Sequence, residues 1–481
     1  MKKAECTGPV YEKQKETGEE ILMSDMVKMT APLQGLCPVC GRIHRTGDLK
    51  AEIGSGVIKM LPEIMKSLGT KPFVLADPRT FEAAGKQALD ILDKAGIPSS
   101  VYIYKGSSLK PDEKALGSAI MHFDYSCDCI LAVGAGTVND LSKLLSRISG
   151  RPFVLLGTAP SMDGFASSTS SVIRDGLKIS LESIYAAVIL NDTDILKEAP
   201  LKMLQAGMGD MIAKYTSICE WRLSSLITGE YYCPAIAEYV RTCVKQCTDH
   251  ADGLMRRDPE AVEAVTEGLI LAGMAMTMAG CSRPASGMEH YFSHIWDMRA
   301  QEFGTPSDLH GIQCGTAELL CAQIYEKILQ IRPDREKALA SVRQFRYDHW
   351  KMDLRSFLGR SADALILLEE KEGKYDLDAH AGRLERIIDN WDAVCDIIRE
   401  EVPSSERIRE ILGKIGAPRS FEELGHTSEE VRTAFYMTGD IRDKYIGSRL
   451  LWDLGLLDEI GQEMFPDERP VAYFTEPGPI D

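Results

Sequence analysis

Between Lys71 and Asp194, short apolar runs alternate with segments of helical periodicity. Phe73-Val74-Leu75-Ala76 predicts a buried strand, and Thr80-Phe81-Glu82-Ala83-Ala84 opens a helix behind it. Further strands are predicted at Val101-Tyr102-Ile103-Tyr104, Cys129-Ile130-Leu131-Ala132-Val133, Phe153-Val154-Leu155-Leu156 and Ala186-Ala187-Val188-Ile189-Leu190. Strands alternating with helices imply βαβ units and a mainly parallel sheet, with ligands at the carboxyl ends of its strands. After Pro200 the pattern changes. From Leu201 to about Gly461 it reads as long amphipathic or apolar helices, for example Ala261 to Ala279, Ala317 to Leu329 and Leu384 to Glu401. The expected division is a mobile polar segment (1–20), a nucleotide-binding α/β domain (21–200), an all-helical domain (201–465) and an irregular tail rich in Pro, Glu and Asp (466–481).

The length of 481 residues agrees with two domains rather than one core. A hydrophobic content of 44% and a charged content of 26% are ordinary for a soluble globular protein. The most apolar run, Gly268 to Gly280, is too short for a membrane span and reads as a core helix. The amino terminus lacks the apolar stretch of a secretory signal, so a cytoplasmic protein is expected. The net charge of −17 argues against nucleic acid or an anionic membrane as partner. Any phosphate must then be met by a few Lys or Arg side chains and by helix amino termini. The 13 Cys are scattered and odd in number, as expected of reduced thiols. Cys37-x-x-Cys40 with His44 could supply three zinc ligands, but no fourth is evident. The cluster is read as a surface turn with two reduced thiols.

Two loops carry the signature of a dinucleotide site. Gly134-Ala135-Gly136-Thr137-Val138-Asn139-Asp140 lies between a strand and the helix DLSKLLSRI. Its glycines let the backbone approach a pyrophosphate, which the helix dipole favours. Asn139 stands where G-x-G-x-x-G has its third glycine, so the standard fingerprint is broken. One strand later, Thr158-Ala159-Pro160-Ser161-Met162-Asp163-Gly164, with Ser167 beyond, again crowds small and hydroxyl residues at a strand end. Asp77 closes the strand FVLAD. There it could accept ribose hydroxyls and repel a 2′-phosphate, favouring NAD over NADP, or simply cap a helix.

Three of the nine His lie between Ser286 and Gly315. His290 and His294 fall at i and i+4 on one helical face, and His310 follows the helix-start signal Thr305-Pro306-Ser307. Asp210 sits near the opening of the helical region, with Lys214 one turn further along the same face. One carboxylate and two neutral imidazoles with an open position is a common arrangement for a catalytic divalent metal. Spacing leaves open which of His290 and His294 is the ligand, and Glu289 is an alternative carboxylate.

GAGTVND, TAPSMDGFAS, AGMGDMIAK, SGMEHYFSHIWDM and HGIQCG resemble, in that order, motifs of the sn-glycerol-1-phosphate dehydrogenase family, within the iron-containing alcohol dehydrogenase and glycerol dehydrogenase superfamily. The similarity runs from about Cys37 to Gly315 and returns at Gly416-Ala417-Pro418 and from Ile441 to Tyr445. Arg332 to Glu401 matches less clearly and reads as a candidate insertion. The resemblance implies an α/β fold: a Rossmann-like parallel-sheet domain followed by an all-helical domain, the dehydroquinate synthase-like two-domain architecture. It implies metal ligation by Asp210, His290 and His310, with zinc or nickel fitting that set. It places Asp163, His294 and Asp210 beside the substrate. It assigns Gly136 to Asp140, Thr158 to Ser161, and Ser167 to NAD(H) or NADP(H), with Asp77 at the ribose. The expected reaction is reduction of dihydroxyacetone phosphate to sn-glycerol 1-phosphate, with His294 or water passing the proton and Lys214 a candidate phosphate partner. His294 is chosen because imidazole titrates near neutral pH. Superfamily relatives often self-associate, so a homo-oligomer is expected. Rival readings are a glycerol dehydrogenase, a dehydroquinate-synthase-like lyase, which typically has Glu in place of Asp210, and a non-catalytic nucleotide or metal sensor.

Overall fold

The computed structural model describes residues 33–46, 49–106, 109–175 and 177–465. The expected mobile segment (1–20) and irregular tail (466–481) lie outside these residues. A two-stranded antiparallel hairpin, β1 (Gly35–Leu36) and β2 (Ile43–His44), precedes the main sheet. That sheet contains β3 (Lys50–Gly54), β4 (Pro72–Ala76), β5 (Ser100–Ile103), β6 (Cys129–Gly134) and β7 (Phe153–Gly157). A second antiparallel hairpin, β8 (Thr169–Arg174) and β9 (Leu177–Glu182), follows, and β10 (Val188–Asp192) returns to the sheet. The six strands are parallel throughout, in the order β3-β10-β7-β6-β4-β5.

All five predicted strands are present, as β4 to β7 and β10. Every residue of β4, β6, β7 and β10 is buried, because a parallel sheet is covered on both faces. The two-residue period sends Phe73, Leu75, Ile130, Ala132 and Phe153 into one core and Val74, Ala76, Leu131, Val133 and Val154 into the other. The first core continues into the helical part of the chain; the second is closed by Ile64, Met65, Ala88 and Leu92. β3 and the β8–β9 hairpin are additions to the sequence reading.

The chain leaves β4 toward β5 on one side, then places β6, β7 and β10 on the other. Strand order therefore reverses between β4 and β6, and a crevice opens beyond their carboxyl ends. Asp77 follows β4, and α1 (Gly136–Ser149) follows β6, so both stand at that crevice.

From Pro200 onward the described residues contain helices and no strand. The site is built by α2 (Leu201–Ile212), α3 (Lys214–Thr228), α4 (Pro234–Asp249), α5 (Pro259–Ala279), α6 (Met288–Phe303) and α7 (His310–Ile328). Among the described residues α5 is the one helix long and apolar enough to cross a membrane, but it is packed into the first core. The candidate insertion Arg332–Glu401 forms five helices. These bury Trp350, Leu354, Leu384 and Val394 in a second helical core with Phe292, Trp296 and Phe435. The single helix expected over Leu384–Glu401 is two, Leu377–Asp389 and Trp391–Glu401. Asn390 breaks it, its Nδ2 donating to the Arg386 carbonyl at 2.8 Å.

Candidate active site

Close helix crossing brings the candidate ligands together. A Cβ on Gly209 of α2 would stand 2.1 Å from the Gly311 carbonyl oxygen of α7, and one on Gly311 only 1.9 Å from the Ala206 carbonyl oxygen. The two backbones touch because neither glycine carries a side chain. Asp210 and His310 are the immediate neighbours of these glycines, so the crossing sets their separation. Gly207 does the same toward the nucleotide side, where its Cβ would meet the Pro160 carbonyl oxygen at 2.1 Å.

Ligand atoms of Asp210, His290, His310 and Cys314 all lie within 4.8 Å of one another. His290 directs Nε2 to Asp210 Oδ1 at 3.5 Å, while its Nδ1 meets Glu289 Oε1 at 2.8 Å. Glu289 also accepts the Gly287 amide, so its bonded oxygen is placed to orient the candidate ligand His290, and Glu289 is outside the Asp210/His290/His310/Cys314 donor group. His310 Nδ1 is 3.0 Å from Ser293 Oγ, which Gln313 in turn holds at 3.0 Å. With each Nδ1 engaged, each imidazole presents Nε2 inward, and the donor set fits one divalent cation. Cys314 is a further potential donor that the sequence reading omitted; its Sγ is 3.6 Å from His310 Nε2.

Asp210 is wholly buried. One oxygen accepts the Asp163 amide at 2.8 Å and the other the Lys214 ammonium at 2.9 Å. Burial works to raise its carboxyl, but Lys214, His290 and His310 outweigh it and hold Asp210 well below the usual carboxylate range. Asp163 also pairs with Lys214, at 2.6 Å, and is pushed up by burial and by Asp210. Lys214 is therefore not a phosphate partner. Its side chain has no exposure, and both carboxylates occupy its Nζ. His294 also departs from expectation. Burial, then Lys178 and the other two imidazoles, push its imidazole well below the usual range.

A cleft of about 940 Å³ joins this cluster to the sheet crevice. Asp77, Gly136, Thr137, Val138, Asp140, Thr158, Ala159, Ser161, Asp163, Ser167, His290, His294 and His310 line it. Gly134, Asn139 and Pro160, assigned to the cofactor from sequence, shape the wall from behind. Gly134 ends β6, Asn139 donates to the Gly164 carbonyl at 3.3 Å, and Pro160 abuts Gly207. Met162 packs against Gly136, where a Cβ would meet its Cε at 2.8 Å, and Gly136, Thr137 and Val138 at the opening of α1 line the cleft. Asp77 caps a short helix, accepting the Arg79 and Thr80 amides through Oδ1, and still faces the cleft. Asp77 precedes the glycines in sequence, but β4 pairs directly with β6, which brings the two side by side.

Several residues missed in sequence shape this space. Lys143 is buried and donates to the Thr169 carbonyl at 3.0 Å and Ser167 Oγ at 3.2 Å, pinning the second loop. Lys178 on β9, Arg442 and Lys444 line the cleft with His294 and Tyr291. Arg442 and Lys444 fall in the Ile441–Tyr445 stretch, whose charge was the available signal; Lys178 lies on the unforeseen hairpin. Burial first, then Arg283, lowers the Lys444 ammonium to about 7.

A strand-end glycine turn facing an Asp/His/His set across one cleft defines a metal-dependent, nucleotide-linked oxidoreductase, and residues 52–200 match the family model for iron-containing alcohol dehydrogenase. A glycerol-1-phosphate dehydrogenase [NAD(P)+] of Bacillus licheniformis is 30% identical over 90% of this chain and 96% of its own length. One from Halalkalibacterium halodurans is 35% identical over 63% of this chain and 77% of its length. Glycerol dehydrogenase from Schizosaccharomyces pombe superposes with a TM-score of 0.58 at 16% identity, covering 89% of this chain and 94% of that one, which establishes the shared fold. The chain belongs to the glycerol-1-phosphate dehydrogenase family.

Proposed function

We propose that this chain reduces dihydroxyacetone phosphate reversibly to sn-glycerol 1-phosphate, using NADH or NADPH and one divalent metal. The observation carrying this reading is a single cleft holding three features: the α1 amino terminus, the Asp210/His290/His310 donors, and the cations Arg442 and Lys444, with Lys178 beside them paired to Asp297 at 2.5 Å. In a chain of net charge −17, a local group of cations beside the metal donors is a fitting receptor for a phosphate. Zinc or nickel suits one carboxylate oxygen and two imidazole nitrogens with a thiol nearby. Asp77 disfavours a 2′-phosphate, so NADH is the preferred donor. We expect a homo-oligomer, which light scattering would read.

When bound, the cation supplies Lewis-acid polarisation of the C2 carbonyl. This chain contributes the rest of the arrangement. Glu289 and Ser293 orient the imidazoles, and the Asp163 amide and Lys214 fix the Asp210 carboxylate. The loops 134–140 and 158–167 align the nicotinamide face with C2. His294 lines the cleft beside the metal donors and relays a proton, one ring nitrogen taking a proton from solvent as the other gives its own to the C2 oxygen. Arg442 and Lys444 hold the phosphate and so fix which face of the ketone is reduced.

The test is NADH oxidation with dihydroxyacetone phosphate against free dihydroxyacetone, with chiral analysis of the product. Turnover specific for the phosphorylated ketone and abolished by His310→Ala supports the reading. Equal turnover of the free ketone would identify a polyol dehydrogenase. Phosphate release without net NADH consumption would identify a lyase, and tight NADH binding without turnover a sensor.

A further inference from the structure

The hairpin β1–β2 poses a separate question, because little apolar burial holds it down. Leu36, Val39 and Ile43 are exposed at 72%, 58% and 60%. Two-residue strands are too short to be stable alone. The side chains it does bury are Cys37 and His44, at 4% and 1% exposure, with Cys40 partly covered. These are the residues whose spacing suggested an incomplete zinc set. The structure supplies the fourth. Cys233, at the amino terminus of α4, brings its Sγ to 3.9 Å from Cys37 Sγ.

We propose that Cys37, Cys40, His44 and Cys233 form a second metal site, a closed structural zinc centre that fastens the hairpin to the helical part of the chain. One atom from each of the four lies within 4.8 Å of the others. With Zn–S bonds of about 2.3 Å, a tetrahedral site separates two sulfurs by roughly 3.8 Å, and Cys37 and Cys233 already stand at 3.9 Å. Cys40 Sγ lies 3.0 Å from His44 Nε2, a contact that the ion would replace.

The local chain is built to hold these atoms. Cys37 N–H donates to the Arg42 carbonyl at 2.8 Å and Gly41 N–H to the Cys37 carbonyl at 2.9 Å, closing a tight turn. Gly41 sits at φ 70°, which a glycine adopts without strain. The turn directs both thiols to one side, and the Arg42 amide donates to Cys40 Sγ. The Ala235 and Ile236 amides, free at the first turn of α4, donate to Cys233 Sγ, although burial outweighs them and raises the free thiol to about 11. Tyr231 places its hydroxyl 3.5 Å from both Cys40 Sγ and His44 Nε2, and the Arg42 guanidinium stacks on its ring at 3.6 Å. Four protein donors leave no open position, which distinguishes a structural from a catalytic zinc site. The ion would join residues 196 positions apart in sequence, so it anchors a hairpin that its own side chains barely bury.

The test uses the full-length protein, loaded with zinc under reducing conditions, dialysed, and analysed for metal and by intact mass. Wild type is expected to retain one zinc more per chain than Cys40→Ser or Cys233→Ser. His44→Cys, which preserves four soft ligands, is expected to retain it. His310→Ala loses only the other metal, so the two sites are counted independently of turnover. Cobalt substitution of His310→Ala should give intense sulfur-to-metal charge-transfer absorption, absent when Cys40→Ser is added. Should Cys233→Ser fail to fold, Cys40→Ser and the cobalt spectrum of the protein with all four ligands intact still decide. Equal metal content in wild type and Cys40→Ser, or a zinc-free Cys37–Cys233 disulfide under these conditions, would overturn the proposal.

Discussion

Replacing Gly209 by Ala adds one carbon at the crossing of α2 and α7, 2.1 Å from the Gly311 carbonyl oxygen. Real Cβ contacts stay beyond 3.0 Å, so at least about 0.9 Å must be found. The obstacle is backbone, so no rotamer change can relieve it and the helices must part. Overpacking of this kind costs about 1–3 kcal/mol in stability. The larger effect falls on the metal donors. Asp210 adjoins Gly209 and His310 adjoins Gly311, and ligation tolerates errors of only about 0.2 Å. Metal affinity should fall roughly 10–100-fold, the scale seen when ligand positioning is disturbed. The assay is competition against a chromophoric chelator, alongside thermal melting of the metal-free protein. Gly117→Ala is the control: it is helical and its Cβ would meet nothing within 4 Å. It should stabilise by roughly 0.5–1 kcal/mol, from the same atom added without a clash. Wild-type metal affinity and melting in Gly209→Ala would refute the claim that this crossing sets the donor geometry.

Three further expectations follow from the same geometry. Ser293→Ala removes the partner of His310 Nδ1 and should weaken metal binding about 10-fold with little change in fold, measured by the same competition. Lys214→Met leaves Asp163 and Asp210 buried beside each other without their cation and should destabilise the metal-free protein by about 3–5 kcal/mol; an unchanged melting temperature would contradict the role assigned to that ammonium. Lys444 is charged below its value of about 7 and neutral above it, and Arg283, Arg442, Cys281 and Glu289 surround it. kcat/KM for the phosphorylated ketone should therefore fall as pH rises through about 7, with no such step for the free ketone or in Lys444→Met.

The sheet was legible where burial is two-sided, since strands such as Cys129–Gly134 are then unbroken apolar runs. β3 was not, because Lys50-Ala51-Glu52 at a sheet edge carries charge that reads as loop. The β8–β9 hairpin alternates Ser, Lys and apolar residues, and its Asp175-Gly176 dipeptide was the turn signal that could have revealed it. In the site, i,i+4 spacing correctly put Lys214 on the face of Asp210. Spacing does not say what else claims an ammonium, and Asp163, 51 residues away, decides that. Cys233 was invisible for the same reason: nothing local marks a helix-capping cysteine as the neighbour of a hairpin near the opposite end of the sheet region.

The segment from Thr158 to Ser167 touches both halves of the chemistry. Its hydroxyl and small residues face the nucleotide crevice, while the Asp163 amide sets the Asp210 carboxylate. If the proposed nucleotide binding orders this loop, it also changes the free energy of metal capture. Linkage requires the converse effect to be equal: the ratio of metal affinities with and without NADH must match the ratio of NADH affinities with and without metal. The fraction of chains carrying metal would then follow the cellular supply of dinucleotide as well as that of the ion.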